Sequence, residues 1–149
     1  MKNLLLLLFL LLPTPKDLRP VAKVVDGDTL WVENPKEKIR LIGIDSPELR
    51  DTPRKKAGAY AKESSAYLKK RLHGKRVRLA YDVRRYDQYR RTLAYVYLED
   101  GTFINAELVR LGYATVSTVA PNVKYADTFI LLQQEARKNQ RGLWGVPLR

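Results

Sequence analysis

The stretch VAKVVDGDTLWVENPKEKIRLIGI, residues 21–44, decides the fold. It holds three short runs rich in β-branched and apolar residues, over 21–25, 29–33 and 38–44. Asp26-Gly27-Asp28 separates the first two and Asn34-Pro35-Lys36 the last two, and both are turn chemistry. Three successive strands are therefore expected here.

Downstream, Ser46 to about Arg54 reads as a loop carrying Pro47 and Pro53. A helix is expected over 56–72, where Ala57, Tyr60, Ala61, Ser64, Tyr67, Leu68 and Leu72 recur at three- and four-residue steps and form one stripe. Gly74 is placed to end it. Residues 75–81 alternate, with Val77, Leu79 and Tyr81 on one face and Arg76 and Arg78 on the other. Residues 92–98 are apolar on both faces, as in a strand covered on both sides. Asn105 and Gly112 bracket a short helix, and a last helix is expected over 124–139 with Tyr125, Phe129, Leu132 and Ala136 on one stripe. The class is α+β, mainly β. Five strands with a helix between the third and fourth follow the order of an OB-fold barrel, with two C-terminal helices packed on it.

Upstream the chain changes character. Lys2 precedes an unbroken apolar run, Leu4 to Leu12, that Pro13 and Pro15 stop. Such a run is too short to cross a bilayer as a helix and suits the apolar core of a secretory signal. Residues 1–16 are expected to be a signal peptide or an N-terminal anchor, and residues 17–149 the folded domain. The expected location is outside the cytoplasm: secreted, periplasmic, or held at the membrane if the leader stays on.

Charge and composition narrow the chemistry. Twenty-eight Lys and Arg against sixteen Asp and Glu leave a formal net charge of +12, a field that draws polyanions, nucleic acid first among them. Cysteine is absent and His73 is the one histidine. Thiolate zinc sites, disulfide frameworks, cysteine nucleophiles and two-histidine acid–base pairs are all excluded. Beside the expected helix end at Gly74, His73 reads as a residue favoured by the helix dipole.

Three segments carry the remaining chemistry: Asp26-Gly27-Asp28-Thr29 at a turn, Arg40 through Asp45-Ser46-Pro47-Glu48 where a strand runs into a loop, and Asp87-Gln88-Tyr89-Arg90-Arg91-Thr92 where a basic turn opens a strand. Hydrolysis of a phosphodiester needs an oriented water and fixed cations for the charge that grows on the phosphoryl oxygens. A carboxylate serves as base, and arginine grips phosphate in a two-pronged fork that lysine lacks. Loop carboxylates with a main-chain carbonyl and waters make the all-oxygen shell of a hard cation. Asp28 and Asp45 suit the metal, Glu48 the water, and Arg40 and Arg91 the phosphate. Each has an ordinary use as well. Asp28 and Asp45 are good turn residues, Glu48 and Arg40 can simply face water, and Arg91 belongs to a charge run with Arg84, Arg85 and Arg90. Together the pieces point to a metal-assisted phosphodiesterase.

In their order and spacing these segments resemble the staphylococcal nuclease (thermonuclease) family, and Asn105 through Ala114, Pro121-Asn122 and Arg141-Gly142-Leu143-Trp144 extend the likeness over residues 19–145. The resemblance implies an OB-fold and a calcium-dependent nuclease that cleaves DNA and RNA toward the 5′ oxygen. It implies that Asp28, Asp45 and the Ser46 carbonyl hold one Ca²⁺, with Asp26 behind them. Glu48 would act on the water, Arg40 and Arg91 on the transition state, and Tyr89 on the substrate phosphate; Arg90 is expected to add a further substrate-binding cation. Mg²⁺ or Mn²⁺ is also compatible with such oxygen ligands. Single-stranded substrates and a monomer without an obligate protein partner are expected. The sequence departs from the family's habits at Arg90, where glycine is common, at Gln88, where lysine is frequent, and around Ser117-Thr118-Val119, where some relatives place a base-stacking tyrosine. The alternative is an OB-fold module that binds nucleic acid without cutting it, or a surface protein using its charge on acidic polymers or lipids.

Overall fold

In a computed structural model, residues 17–50 and 58–147 are described. The leader expected over 1–16 and the Ala57 position of the first helical stripe lie outside them. Five strands form a closed barrel: β1 (Leu18–Val24), β2 (Thr29–Val32), β3 (Glu37–Leu41), β5 (Arg76–Ala80) and β6 (Thr92–Leu98), in spatial order β1-β2-β3-β6-β5 with β5 returning to β1. All neighbours are antiparallel except β3 and β6, which run parallel. This is the expected OB-fold. Helix α1 (Ala61–Leu72) lies between the third and fourth barrel strands, and α2 (Ile104–Arg110) and α3 (Ala126–Lys138) follow the fifth.

The interior is aliphatic, with Leu30, Val32, Ile39, Leu41, Val77, Ala94 and Val96 all inaccessible or nearly so. These are the inward residues of the expected barrel strands. On β6 both faces are covered, because Tyr95 on the outer face packs edge-on against Phe103 and Tyr125.

Two local expectations are corrected. The run 38–44 is not one strand. Gly43 takes φ 79°, a left-handed turn, and a Cβ there would lie 2.6 Å from the Phe129 ring. The chain therefore leaves the barrel at Ile42, and Ile44–Asp45 form a separate short strand, β4, paired with β7 (Thr115–Val116). Asn105 does not cap α2, whose preceding residue is Phe103. Its buried amide instead donates to the carbonyls of Ile42 (2.9 Å) and Ala94 (3.4 Å) and accepts the Val96 N–H at 2.9 Å. A fully buried amide gains more by satisfying main-chain groups stranded where β3 leaves the sheet than by capping a helix.

The first helix also starts later than its periodicity suggests, because Tyr60 adopts φ 69° and breaks the run before Ala61. Its end is as expected: His73 is the terminal cap and Gly74 follows at φ 66°.

Candidate active site

Strand pairing assembles the cleft. In the β2–β3 hairpin Thr29 faces Arg40, and the Leu41 N–H donates to the Asp28 carbonyl at 3.0 Å, so the Asp26-Gly27-Asp28 turn closes over the side of Arg40. The parallel β3–β6 ladder sets Ile39 against Thr92 and Arg40 against Leu93. That register brings Arg91 to the same end of the barrel as Arg40. Beyond Gly43, β4 carries Asp45 and leads into Ser46 and Glu48.

These residues meet around one small cavity of about 180 Å³, lined by Asp26, Asp28, Arg40, Asp45, Ser46, Glu48 and Arg91. No apolar side chain contributes to it. Arg40 is held from two sides: Nη1 donates to the carbonyls of Leu41 and Ile44, each at 2.8 Å. Its Nη2 lies 3.2 Å from Asp45 Oδ1 and 3.4 Å from Asp28 Oδ2, shared between the two carboxylates. The guanidinium is thus aimed before any substrate arrives.

Asp28 is 6% exposed and accepts from the Thr29 hydroxyl (2.9 Å), the Ser46 N–H (2.8 Å) and the Ser46 hydroxyl (3.0 Å). Burial opposes its charge, but the Arg40 cation and the Ser46 N–H outweigh that and hold its carboxyl below the usual aspartate range. Asp26 shows the reverse. Burial and the neighbouring negative charge of Asp28 push it up to about 6, although it accepts the Asp28 N–H at 3.0 Å. Gly27 has to be glycine in this turn, since a Cβ would meet Ser46 Cβ at 2.6 Å.

Residues 38–146 match the family described as staphylococcal nuclease homologue. A thermonuclease of Staphylococcus intermedius is 41% identical over 126 residues, spanning 83% of this chain and 74% of that protein. A thermonuclease of Staphylococcus hyicus is 37% identical over 126 residues, with 83% and 73% covered. Endonuclease YncB of Bacillus subtilis (strain 168) is 34% identical over 126 residues, with 82% and 59% covered. The chain belongs to the staphylococcal nuclease family.

Within that family frame, the turn over 87–91 explains a departure. Arg90 takes φ 61°, in the left-handed region where glycine fits without cost and an arginine is strained. A glycine would be the relaxed choice here, and an arginine accepts the backbone instead. What keeps the turn in place is Asp87, to which the sequence reading assigned no role. Its carboxylate accepts the N–H groups of Tyr89 and Arg91, both at 2.9 Å, and Arg91 Nε at 2.6 Å. No described residue bonds the terminal nitrogens of Arg91. An aspartate opening a tight turn, four residues before a key arginine, was the available signal.

Tyr89 is 67% exposed, with the Arg91 guanidinium 5.5 Å from its ring centre, at the rim rather than in the cavity. Arg90 is exposed and also lies outside the cavity lining. Beside the polar cavity a larger cleft of about 310 Å³ shares Arg40 and Arg91 and continues between Leu93 and Asp87 on one wall and Ser117, Val119 and Asn122 on the other. The wall at 117–119 presents no aromatic ring.

Among the described residues no group of three or more acidic or histidine side chains forms a ready-made metal cage. Asp28 and Asp45, lying on either side of Arg40 Nη2, are two carboxylates, and the rest of a shell would come from main-chain oxygen and water. The donors are all oxygen, and Asp28 is held ionised, which fits a hard cation and not a soft one.

Proposed function

We propose that this protein is a metal-assisted phosphodiesterase that hydrolyses DNA and RNA with release of the 5′ oxygen. The observation that carries the reading is the convergence of Arg40, Arg91 and Glu48 on one wholly polar cavity beside two aspartates. A binding module needs a basic groove and stacking rings. It has no use for a half-buried glutamate facing two arginines at the end of a barrel.

Each side chain has a distinct part. Glu48 accepts the proton of the attacking water, and in doing so directs the water toward phosphorus. Arg91, its Nε fixed on Asp87, presents its terminal nitrogens to the phosphoryl oxygens and the departing 5′ oxygen. Arg40 stabilises the same developing charge from the opposite wall. The P–O5′ bond breaks as the water oxygen bonds to phosphorus, and the departing 5′ oxygen takes a proton from solvent, leaving a 3′-phosphate and a 5′-hydroxyl. Asp28, Asp45 and the Ser46 carbonyl would hold Ca²⁺, which supplies Lewis-acid neutralisation of a phosphoryl oxygen when bound. Single-stranded substrates are the preferred ones in this reading.

Digestion of heat-denatured DNA and of RNA, with Ca²⁺ and then with a calcium chelator, tests this. Cutting that needs the metal and leaves 3′-phosphate ends is expected. Tight binding with no cutting under Ca²⁺, Mg²⁺ or Mn²⁺ would return the chain to the binding-module reading.

A further inference from the structure

Among the described residues, most of the strongly exposed large apolar and aromatic side chains fall on two segments: Tyr81, Val83, Tyr86 and Tyr89 on one, Val119 and Val123 on the other. The segments are clamped together. Asn122 is buried, its Oδ1 accepts the Arg84 N–H at 2.7 Å, and its Nδ2 donates to the Arg84 carbonyl at 2.9 Å. The Leu93 N–H donates to the Arg85 carbonyl at 2.8 Å, and Tyr86 bridges to Thr92. The rings therefore stand on fixed main chain while remaining partly open to solvent.

Cations alternate with the rings. The Arg85 guanidinium lies 3.4 Å from the Tyr81 ring centre and 5.9 Å from that of Tyr86, making a stacked ledge. No described residue pairs with the guanidinium of Arg84 or Arg90. The two carboxylates on the segment are already used: Asp82 accepts from the Tyr95 hydroxyl and the main-chain N–H groups of Val83 and Lys124, and Asp87 holds Arg91. The exposed field is thus positive between exposed aromatic faces.

We propose that the ledge of Tyr81, Arg85 and Tyr86, with Arg84 at its edge, is a docking surface for unpaired nucleotides of the substrate strand beyond the one in the cleft. This rests on the nucleolytic reading of the adjacent site. Arg84 and Asp87 line the cleft while Arg85 and Tyr86, between them in sequence, do not, so the ledge directly adjoins the cleft wall along the chain. A partner offering only apolar surface would strand the guanidiniums. A polynucleotide supplies phosphates for the cations and base faces for the rings together, and only unpaired bases have faces to give.

The test uses the catalytically silenced Glu48→Gln protein and fluorescence anisotropy with labelled oligothymidylate. A strand of about twelve nucleotides spans cleft and ledge, given site sizes of roughly 4–16 nucleotides on such barrels, and a dinucleotide reaches the cleft alone. Adding Tyr86→Ala is expected to weaken the longer strand about tenfold more than the dinucleotide, and Tyr86→Phe to restore it. Arg84→Ser is expected to lower the salt dependence of the longer strand's affinity, independently of the ring. Equal losses for both lengths, no loss for either, or duplex bound as tightly as single strand would overturn the ledge. A protein that binds through Tyr86 yet cuts nothing would sink the nuclease proposal and leave the ledge standing. Cutting whose length dependence ignores Tyr86 would do the opposite.

Discussion

Two of the carboxylate–arginine clusters among the described residues are built to opposite ends. At one, Glu107 on α2 accepts Arg71 Nε at 2.7 Å, Arg71 Nη2 at 3.2 Å and the Tyr67 hydroxyl at 2.5 Å. One acid meets one cation and one donor, with Tyr113 stacked on Tyr67 at 4.1 Å, and the account is closed. At the other, Arg40 is shared by Asp28 and Asp45 while Asp26 and Glu48 crowd the same small cavity with Arg91. Like charges gather there around space. The first cluster ties α1 to α2. The second gathers acids and cations around open space, the kind of charge about a cavity that marks a candidate functional site.

The comparison can be broken most severely at the cavity. Arg91→Lys should lower turnover at least ~10²-fold despite keeping its charge, because the planar fork and its Nε anchor on Asp87 are lost. A lysine variant with unimpaired single-turnover rate would reduce Arg91 to general positive potential. At the closed cluster the expected loss is in stability. Glu107→Gln should cost about 1–3 kcal/mol in denaturant unfolding, by removing a charge-assisted pair, with hydrolysis retained.

Acid sharpens the same contrast. Burial raises the Glu107 carboxyl, but the bonds from Arg71 and Tyr67 prevail and leave it below its ordinary 4.5. A depressed acid contributes stability that is complete above the unfolded value and is lost as pH falls through the folded one. The stability difference between the wild type and Glu107→Gln should therefore hold from neutrality to about pH 4.5 and shrink below it. A gap that widened in acid would contradict the assignment.

Smaller effects are expected on the turn. Asp87→Asn should lower kcat about tenfold, since Arg91 keeps its fork but loses its fixed aim. Arg90→Gly should raise stability by about 0.5–1 kcal/mol, the relief of a left-handed arginine partly offset by the looser unfolded chain. Thermal melting reads that change directly, and a destabilised glycine variant would show that Arg90 makes a compensating contact.

Much of this was legible in one dimension. The barrel strands announced themselves by β-branched and apolar runs, by turn residues and, over 75–81, by alternation, and the acids and arginines by their motifs. What escaped was set by partners distant in sequence. Gly43 breaks the strand because Phe129 of α3 occupies the space of its Cβ, and nothing near residue 43 shows that. Asn105 looked like a cap because its role depends on carbonyls of Ile42 and Ala94. Asp87 was read as part of a motif, and its hold on Arg91 became visible only with the turn in three dimensions. The meeting of Arg40 with Arg91 rests on a parallel ladder between strands more than fifty residues apart, which local periodicity does not encode.

The measurement that tests the central claim most directly is single-turnover hydrolysis of denatured DNA in saturating Ca²⁺ by the wild type and by Glu48→Gln, with strand affinity recorded alongside. The account predicts at least a ~10²-fold fall in rate with affinity nearly unchanged, as for the loss of a catalytic base. Wild-type rates in the variant would remove Glu48 from the chemistry, and with it the reading of this cavity as a hydrolytic centre.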